Sequence, residues 1–208
     1  LIFYKRENLL KYIHCIFIGI PIWYIIGLLI MNSKDNFGPW LGINNIENGK
    51  AVMYAYIGLS FGDLLSGILS QILKSRKKVV YLYLSFTLVT SVTFLFFLEY
   101  FVTLNASIYY LMCFLLGTGT GYWAIFVTMG AEQFGTNLRA TAATTIPNMV
   151  RGMLAIFILP LFKWFEKQPT IGTIDAGIYT GIIIMVITLI AAALTRETFH
   201  KDLDYLEE

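Results

Sequence analysis

The chain has 208 residues, of which 57% are hydrophobic and 13% charged, with a mean hydropathy of +0.69. A soluble domain carries about 25% charged residues, so water is not the main solvent of this chain. The net charge of +2 comes without any long block of like charge, which excludes a nucleic-acid-binding class. Cys15 and Cys113 lie inside apolar runs without the spacing of a zinc site or the density of a disulfide framework, and read as packing residues. No metal ligand set and no cofactor motif stands out.

The lead to Lys11 is polar and amphipathic, with no cleavage site of the kind that ends a signal peptide. The chain opens on Leu1 rather than Met, so a preceding segment is expected. Hydropathy then gives six spans, at Tyr12–Met31, Ala51–Leu73, Val79–Leu98, Ile108–Met129, Ala140–Phe162 and Ala176–Thr195. Continuous apolar runs of this length exclude a β-barrel, whose strands alternate over about ten residues. The fold class is therefore all-α and polytopic, embedded in the lipid bilayer. One side of the six spans holds Lys5, Arg6, Lys11, Lys74, Arg76, Lys77, Lys78, Arg139, Arg196 and Lys201, and the other only Lys34, Lys50, Lys163 and Lys167. The richer side is expected to be cytoplasmic, with both chain ends on it. The expected location is the bacterial inner membrane. Between spans one and two, 32–50 forms the longest connection and is expected to cap the outer end of the bundle. The tail Arg196–Glu208 places Leu203 and Leu206 on one helical face, which predicts a short cytoplasmic helix without catalytic role.

Within span two, Asp63 lies about 15–18 Å from the nearer end, and Arg151 lies at a similar depth in span five. Ionised side chains at that depth are costly, and mark substrate or ion handling or a structural buried pair. Thr141, Thr144, Asn148 and Arg151 line one face of span five at spacings of three and four, and Tyr56, Ser60 and Asp63 form a weaker parallel in span two. Pro147 interrupts the span-five stripe and is expected to free a backbone carbonyl there. Gly58/Gly62 and Gly117/Gly121 are small-residue pairs spaced for close helix packing. Trp23, Tyr24, Tyr122 and Trp123 are aromatic candidates for a cavity wall. His14, near the basic end of span one, reads as an interfacial or hydrogen-bonded residue rather than a proton carrier.

Gly58-Leu59-Ser60-Phe61-Gly62 matches a serine nucleophile pattern, but it falls within a continuous apolar helix rather than at a strand-to-helix turn. Neither His14 nor His200 is placed as its base, so an enzyme is not expected. Asn105-Ala106-Ser107 has the form of a glycosylation triplet outside the membrane.

The segment Gly67 to Lys78 resembles a degenerate copy of the Gly-x-x-x-Asp-Arg-x-Gly-Arg-Arg loop of the major facilitator superfamily, with Gln71 where that loop has an acidic residue and Lys74 in place of its second glycine. Ala131-Glu132-Gln133-Phe134-Gly135-Thr136-Asn137-Leu138-Arg139-Ala140-Thr141 is similar to the Ala-Glu-x-Phe-Pro-Thr-x-x-Arg-Ala-Thr segment of sugar-porter-like and metabolite:proton-symporter-like members, with Gly135 for the proline. Asn148 to Gly152 resembles their helix eleven, and Glu197 to Leu203 their Glu-Thr-x-Gly-Lys-x-Leu tail. The resemblance implies that the six spans correspond to helices seven to twelve, two inverted three-helix repeats forming the C-terminal half of a transporter. It implies alternating access, commonly ion- or proton-coupled, on a small polar metabolite such as a sugar or organic anion. The partner would be an N-terminal six-helix half, or a second copy of this half in its absence. Asp63 is then the coupling candidate, and Arg151 either contacts an anionic substrate or neutralises Asp63. Asn148, Thr144, Ser60 and Tyr56 join them at the substrate level, and Glu132, Arg139, Arg76 and Lys77 become candidates for a conformational gate. The rival expectation is a noncatalytic six-helix scaffold or channel.

Overall fold

The computed structural model describes residues 5–43, 45–97, 106–200 and 204–206. Asn105, and with it the glycosylation-type triplet, falls outside the described residues, as do Leu98 and Leu203. Six helices are long and apolar enough to cross a membrane: Arg6–Ile30, Asn48–Ile72, Arg76–Phe96, Ala106–Glu132, Thr136–Glu166 and Thr173–Leu194. No strand occurs among the described residues. The expected spans lie within or close to these helices, and are called spans one to six below. Most of the helices start a few residues earlier than hydropathy alone places them, because the first turns carry polar residues. Ser75, for example, accepts from the Lys78 N–H and so starts span three at Arg76.

Span one is the axis of the bundle, with 78% of its most apolar stretch buried against 22% for span two. Spans four, five and six pack around it. The Tyr122 hydroxyl donates to Ile18 O (2.8 Å), Tyr24 to Gly177 O (2.9 Å) and Thr188 to Phe17 O (2.9 Å). These bonds satisfy side-chain polar groups inside the apolar core, where an unpaired hydroxyl costs about 1–3 kcal/mol. Cys15 and Cys113 are buried free thiols, as expected of packing residues.

Spans two and four make the closest helix pair. Ala51, Ala55, Gly58, Gly62, Ser66 and Ser70 form one narrow buried stripe of small side chains along span two. Gly117 and Gly121 face it, so that a Cβ on Gly62 would lie 2.8 Å from Gly121 Cα. Backbone meets backbone there.

The spans are not uniform α-helices. Span one changes to π-helical turns at Tyr24–Ile30, shortly after Pro21, and span five does so at Leu154–Ile158, directly before the turn holding Pro160. A proline lacks the N–H of the regular ladder and crowds the preceding turn, which a wide π turn before Pro160 relieves in span five. At Pro147 no break follows; the α-helix runs from Thr136 to Met153. The connection 32–50 folds into short helical turns, and its Phe37 is fully buried against Phe94. Residues 196–198 and 204–206 of the tail are not helical, which corrects the expected tail helix. Polar contacts to the loops compete successfully with helix formation there.

Candidate functional site

Span four is broken in its middle. One helix ends at Thr120, Gly121 and Tyr122 form a turn, and a second helix of ten residues starts at Trp123. A break at this depth leaves N–H groups at the new helix start that need partners. Asp63 supplies one: its Oδ1 accepts from the Ala124 N–H at 3.0 Å, and the Trp123 N–H also bonds the carboxylate. On the other side of the break, the Gly119 carbonyl accepts from Thr87 (2.7 Å) and the Gly117 carbonyl from Thr120 (2.7 Å). The half-buried Asp63 therefore caps a half-helix from a neighbouring span, with the macrodipole of that half-helix favouring its charge.

Arg151 is exposed on the face of the bundle. Its Nη1 donates to Asn148 Oδ1 at 3.1 Å, and its guanidinium sits over the Trp123 ring, 5.4 Å from the centroid. Among the described residues no ion pair joins it to Asp63. The two charges instead converge on one residue: Trp123 gives its backbone to Asp63 and its ring to Arg151.

The rest of the stripe is spent locally. Thr144 donates to Ala140 O (3.0 Å), Thr145 to Thr141 O (2.7 Å) and Asn148 Nδ2 to Thr144 O (2.9 Å). Such back-bonding to the preceding turn is the usual resort of Ser and Thr in apolar surroundings. Ser60 does the same, donating to Tyr56 O at 2.9 Å. Tyr56 itself lines a cavity of about 110 Å³ with Ile22, Trp23, Ile26, Leu59, Trp123 and Arg151. Of the four aromatic candidates, Trp23 and Trp123 reach this wall, while Tyr24 and Tyr122 are core residues. His14 instead borders a separate polar cavity at the basic end, with Glu7, Lys11 and Arg196.

The four gate candidates all lie at the basic end of the bundle, and the structure ties three of them into one network. Arg76 pairs with Glu132 (3.2 Å), donates to Ser70 Oγ (2.6 Å) and lies over the Phe199 ring. Lys77 Nζ donates to Ala193 O (2.8 Å) and Thr195 O (2.7 Å), capping the C-terminus of span six. Arg139 lies half-buried in the first turn of span five. Sequence reasoning assigned no role to the residue that joins this network, Glu197. Its carboxylate accepts from the backbone N–H groups of Arg76 (3.0 Å), Lys77 (3.1 Å) and Phe199 (3.0 Å) and from the Ser75 hydroxyl. Thr198 beside it donates to Glu132 Oε2 (2.6 Å), and Gln133 donates to Arg196 O (2.8 Å). The tail thus clamps the loop between spans two and three to the end of span four. The signal available in the sequence was Ser75 three residues before Lys78, a helix start without an acidic partner of its own.

Partial burial pushes the Glu197 carboxyl up, but donation from Ser75 and the backbone N–H groups outweighs it and holds the group below its ordinary value of 4.5. A lowered carboxyl stabilises the fold above the unfolded value and loses that contribution as pH falls through the folded one. The wild-type chain is therefore expected to lose thermal stability below about pH 4.5 more steeply than Glu197→Gln. Parallel melts of the two proteins from pH 6 to pH 3 would fail to support the clamp if they kept a constant offset.

No family model, curated protein or solved structure matches the chain.

Proposed function

We propose that this chain is one six-helix half of a secondary active transporter of the major facilitator type, moving a small polar metabolite by alternating access. The observation that carries the reading is Arg151: a cation in the middle of an apolar span, on the outer face of the bundle, beside a cavity and a broken helix. A charge at that level is costly against lipid, so its face calls for protein or water. A second half, placed across an axis along the membrane normal, supplies both. The clamp around Arg76, Glu132 and Glu197 is the gate at the cytoplasmic end, closed in this conformation. Opening it breaks one half-buried ion pair and the Glu197 cap, contacts between loops that can re-form at each cycle.

Within this reading we give Asp63 a role other than coupling. With its carboxylate given to Trp123 and Ala124, it is a positioning residue that holds the hinge of span four, and Arg151 is the substrate contact. The decisive experiment is uptake by the full-length gene product in sealed vesicles, with and without an imposed ion gradient. Accumulation that collapses with an ionophore supports the transporter, whereas passive equilibration makes it a channel and no flux a scaffold.

Orientation is tested independently by single cysteines introduced at Lys74, Lys78, Asn36 and Asn45. Cytoplasmic-side labelling is expected at the first two and outside-only labelling at the last two. Cys15 and Cys113 are buried and give low background. The reverse pattern would invert the topology.

A further inference from the structure

The polar cavity at the basic end, about 260 Å³ in volume, lies where spans one and six leave the membrane. Glu7, Leu10, Lys11 and His14 line it from span one, at spacings of three and four that put them on one helix face. Leu194, Thr195 and Arg196 line it from the end of span six, and Gln133 from the end of span four. Span one has 25 residues, a length of about 37 Å at 1.5 Å per residue, against a hydrocarbon core of about 30 Å. Its first turns, and the cavity with them, therefore reach the level of the lipid headgroups.

The lining holds two fixed cations, Lys11 and Arg196, a histidine and one carboxylate, Glu7. Lys11 is half-buried and turned inward: its Nζ donates to Asn8 Oδ1 at 3.2 Å and lies 5.9 Å from the Phe134 ring centroid. Its charge thus stays at the cavity instead of reaching out to bulk water. Arg196 is exposed, and Gln133 fixes its main chain by donating to its carbonyl. The His14 imidazole adds a ring N–H in either tautomer. Two features oppose an anion. The negative end of the span-six macrodipole is one, and Lys77 offsets it by donating to Ala193 O and Thr195 O. Glu7 is the other, but it is exposed and so more strongly screened than Lys11. The balance at the cavity is positive.

An apolar track begins at the same place. Ile182, Val186, Ile190 and Leu194 are exposed at intervals of four along span six, a ridge that runs from the cavity rim into the membrane. Leu10, also exposed, flanks the rim from span one. A soluble phosphate ester would use the cations and leave the ridge idle. A phospholipid uses both, because its phosphate and its acyl chains are joined at the headgroup level. Basic recesses between membrane helices are matched to such headgroups.

We propose that this cavity is a headgroup site for an anionic phospholipid, its phosphate on Lys11 and Arg196 and an acyl chain along the ridge of span six. The site is independent of what the chain transports. Native mass spectrometry of the full-length gene product in detergent, with dioleoylphosphatidylglycerol and dioleoylphosphatidylcholine added in equal amounts, reads the preference directly. Phosphatidylglycerol should be retained the more strongly. Lys11→Gln and Arg196→Gln should each lower that preference about fivefold, the effect of one cation at a membrane surface. Glu7→Gln, an exposed change, should fold normally and raise it. Lys78→Gln removes an exposed cation at the same end but outside the cavity, and should leave it unchanged. No preference over phosphatidylcholine, a loss with Lys78→Gln as large as that with Lys11→Gln, or a weaker preference in Glu7→Gln would each overturn the proposal. Glycerol phosphate carries the same phosphate chemistry without chains, and should not displace the lipid at equal concentration. Displacement there would assign the cavity to a soluble phosphate ester and sink the lipid site.

Discussion

Gly58→Leu is expected to prevent the six helices from assembling. A Cβ at Gly58 would run into the backbone carbonyl of Phe114, and backbone cannot swing aside as a flexible side chain does. The cost belongs at or beyond the top of the roughly 1–3 kcal/mol that overpacking usually carries, because spans two and four would have to separate along their whole shared stripe. Gly67 on the same helix is the control, since a Cβ there would meet nothing within 4 Å. Gly67→Leu should purify as a monodisperse species with a near-wild-type melt, and Gly58→Leu should aggregate or be degraded. Equal behaviour of the two variants would show that the close pairing of spans two and four is dispensable.

Asp63→Ala is the second change with a large expected effect. It removes the acceptor of the Ala124 N–H at the start of the second half-helix of span four, a lost cap of about 0.5–2 kcal/mol. The hinge of span four should loosen and the Trp123 ring should leave Arg151, lowering both stability and transport. Asp63→Asn keeps an oxygen acceptor but cannot ionise. It is expected to fold and to accumulate substrate to a large fraction of wild type. An Asp63→Asn protein that melts normally yet only equilibrates substrate would return the residue to a coupling role. The double exchange of Asp63→Arg with Arg151→Asp should give no rescue, because arginine has no acceptor to offer the half-helix.

Hydropathy made the six spans legible, since burial in lipid or in apolar core demands the same run of side chains. The glycine pairs were legible for a related reason: only small residues allow two backbones to touch, so Gly58, Gly62, Gly117 and Gly121 announce the contact. The break in span four was not. Thr118-Gly119-Thr120-Gly121 carries two glycines, yet the apolar run continues through Trp123, and hydropathy cannot see a turn whose backbone groups are satisfied from other helices. For Asp63 the sequence left open a pairing with Arg151, and the partner that the structure gives it is the Ala124 N–H. Charge invites a search for opposite charge, whereas the group it meets is main-chain N–H, which every residue carries. The gate candidates Arg76 and Glu132 do meet, but Glu197, which holds the loop before span three, lies more than a hundred residues along the chain from Arg76, and no local pattern links the two.

Span one is at once the most enclosed helix and the first of the six to be synthesised. Its partners arrive late: Tyr122 follows Ile18 by 104 residues, Gly177 follows Tyr24 by 153 and Thr188 follows Phe17 by 171. A ribosome making this chain therefore delivers the central stave before any of the staves that enclose it. Its mean hydropathy of 2.3, close to the 2.4 of span six, fits that interval, since the helix must be stable in lipid alone before it is hidden from lipid for good. Span six is the last of the six to arrive and closes over Phe17 and Tyr24, so a truncation before Thr173 leaves the most enclosed helix of the bundle partly uncovered.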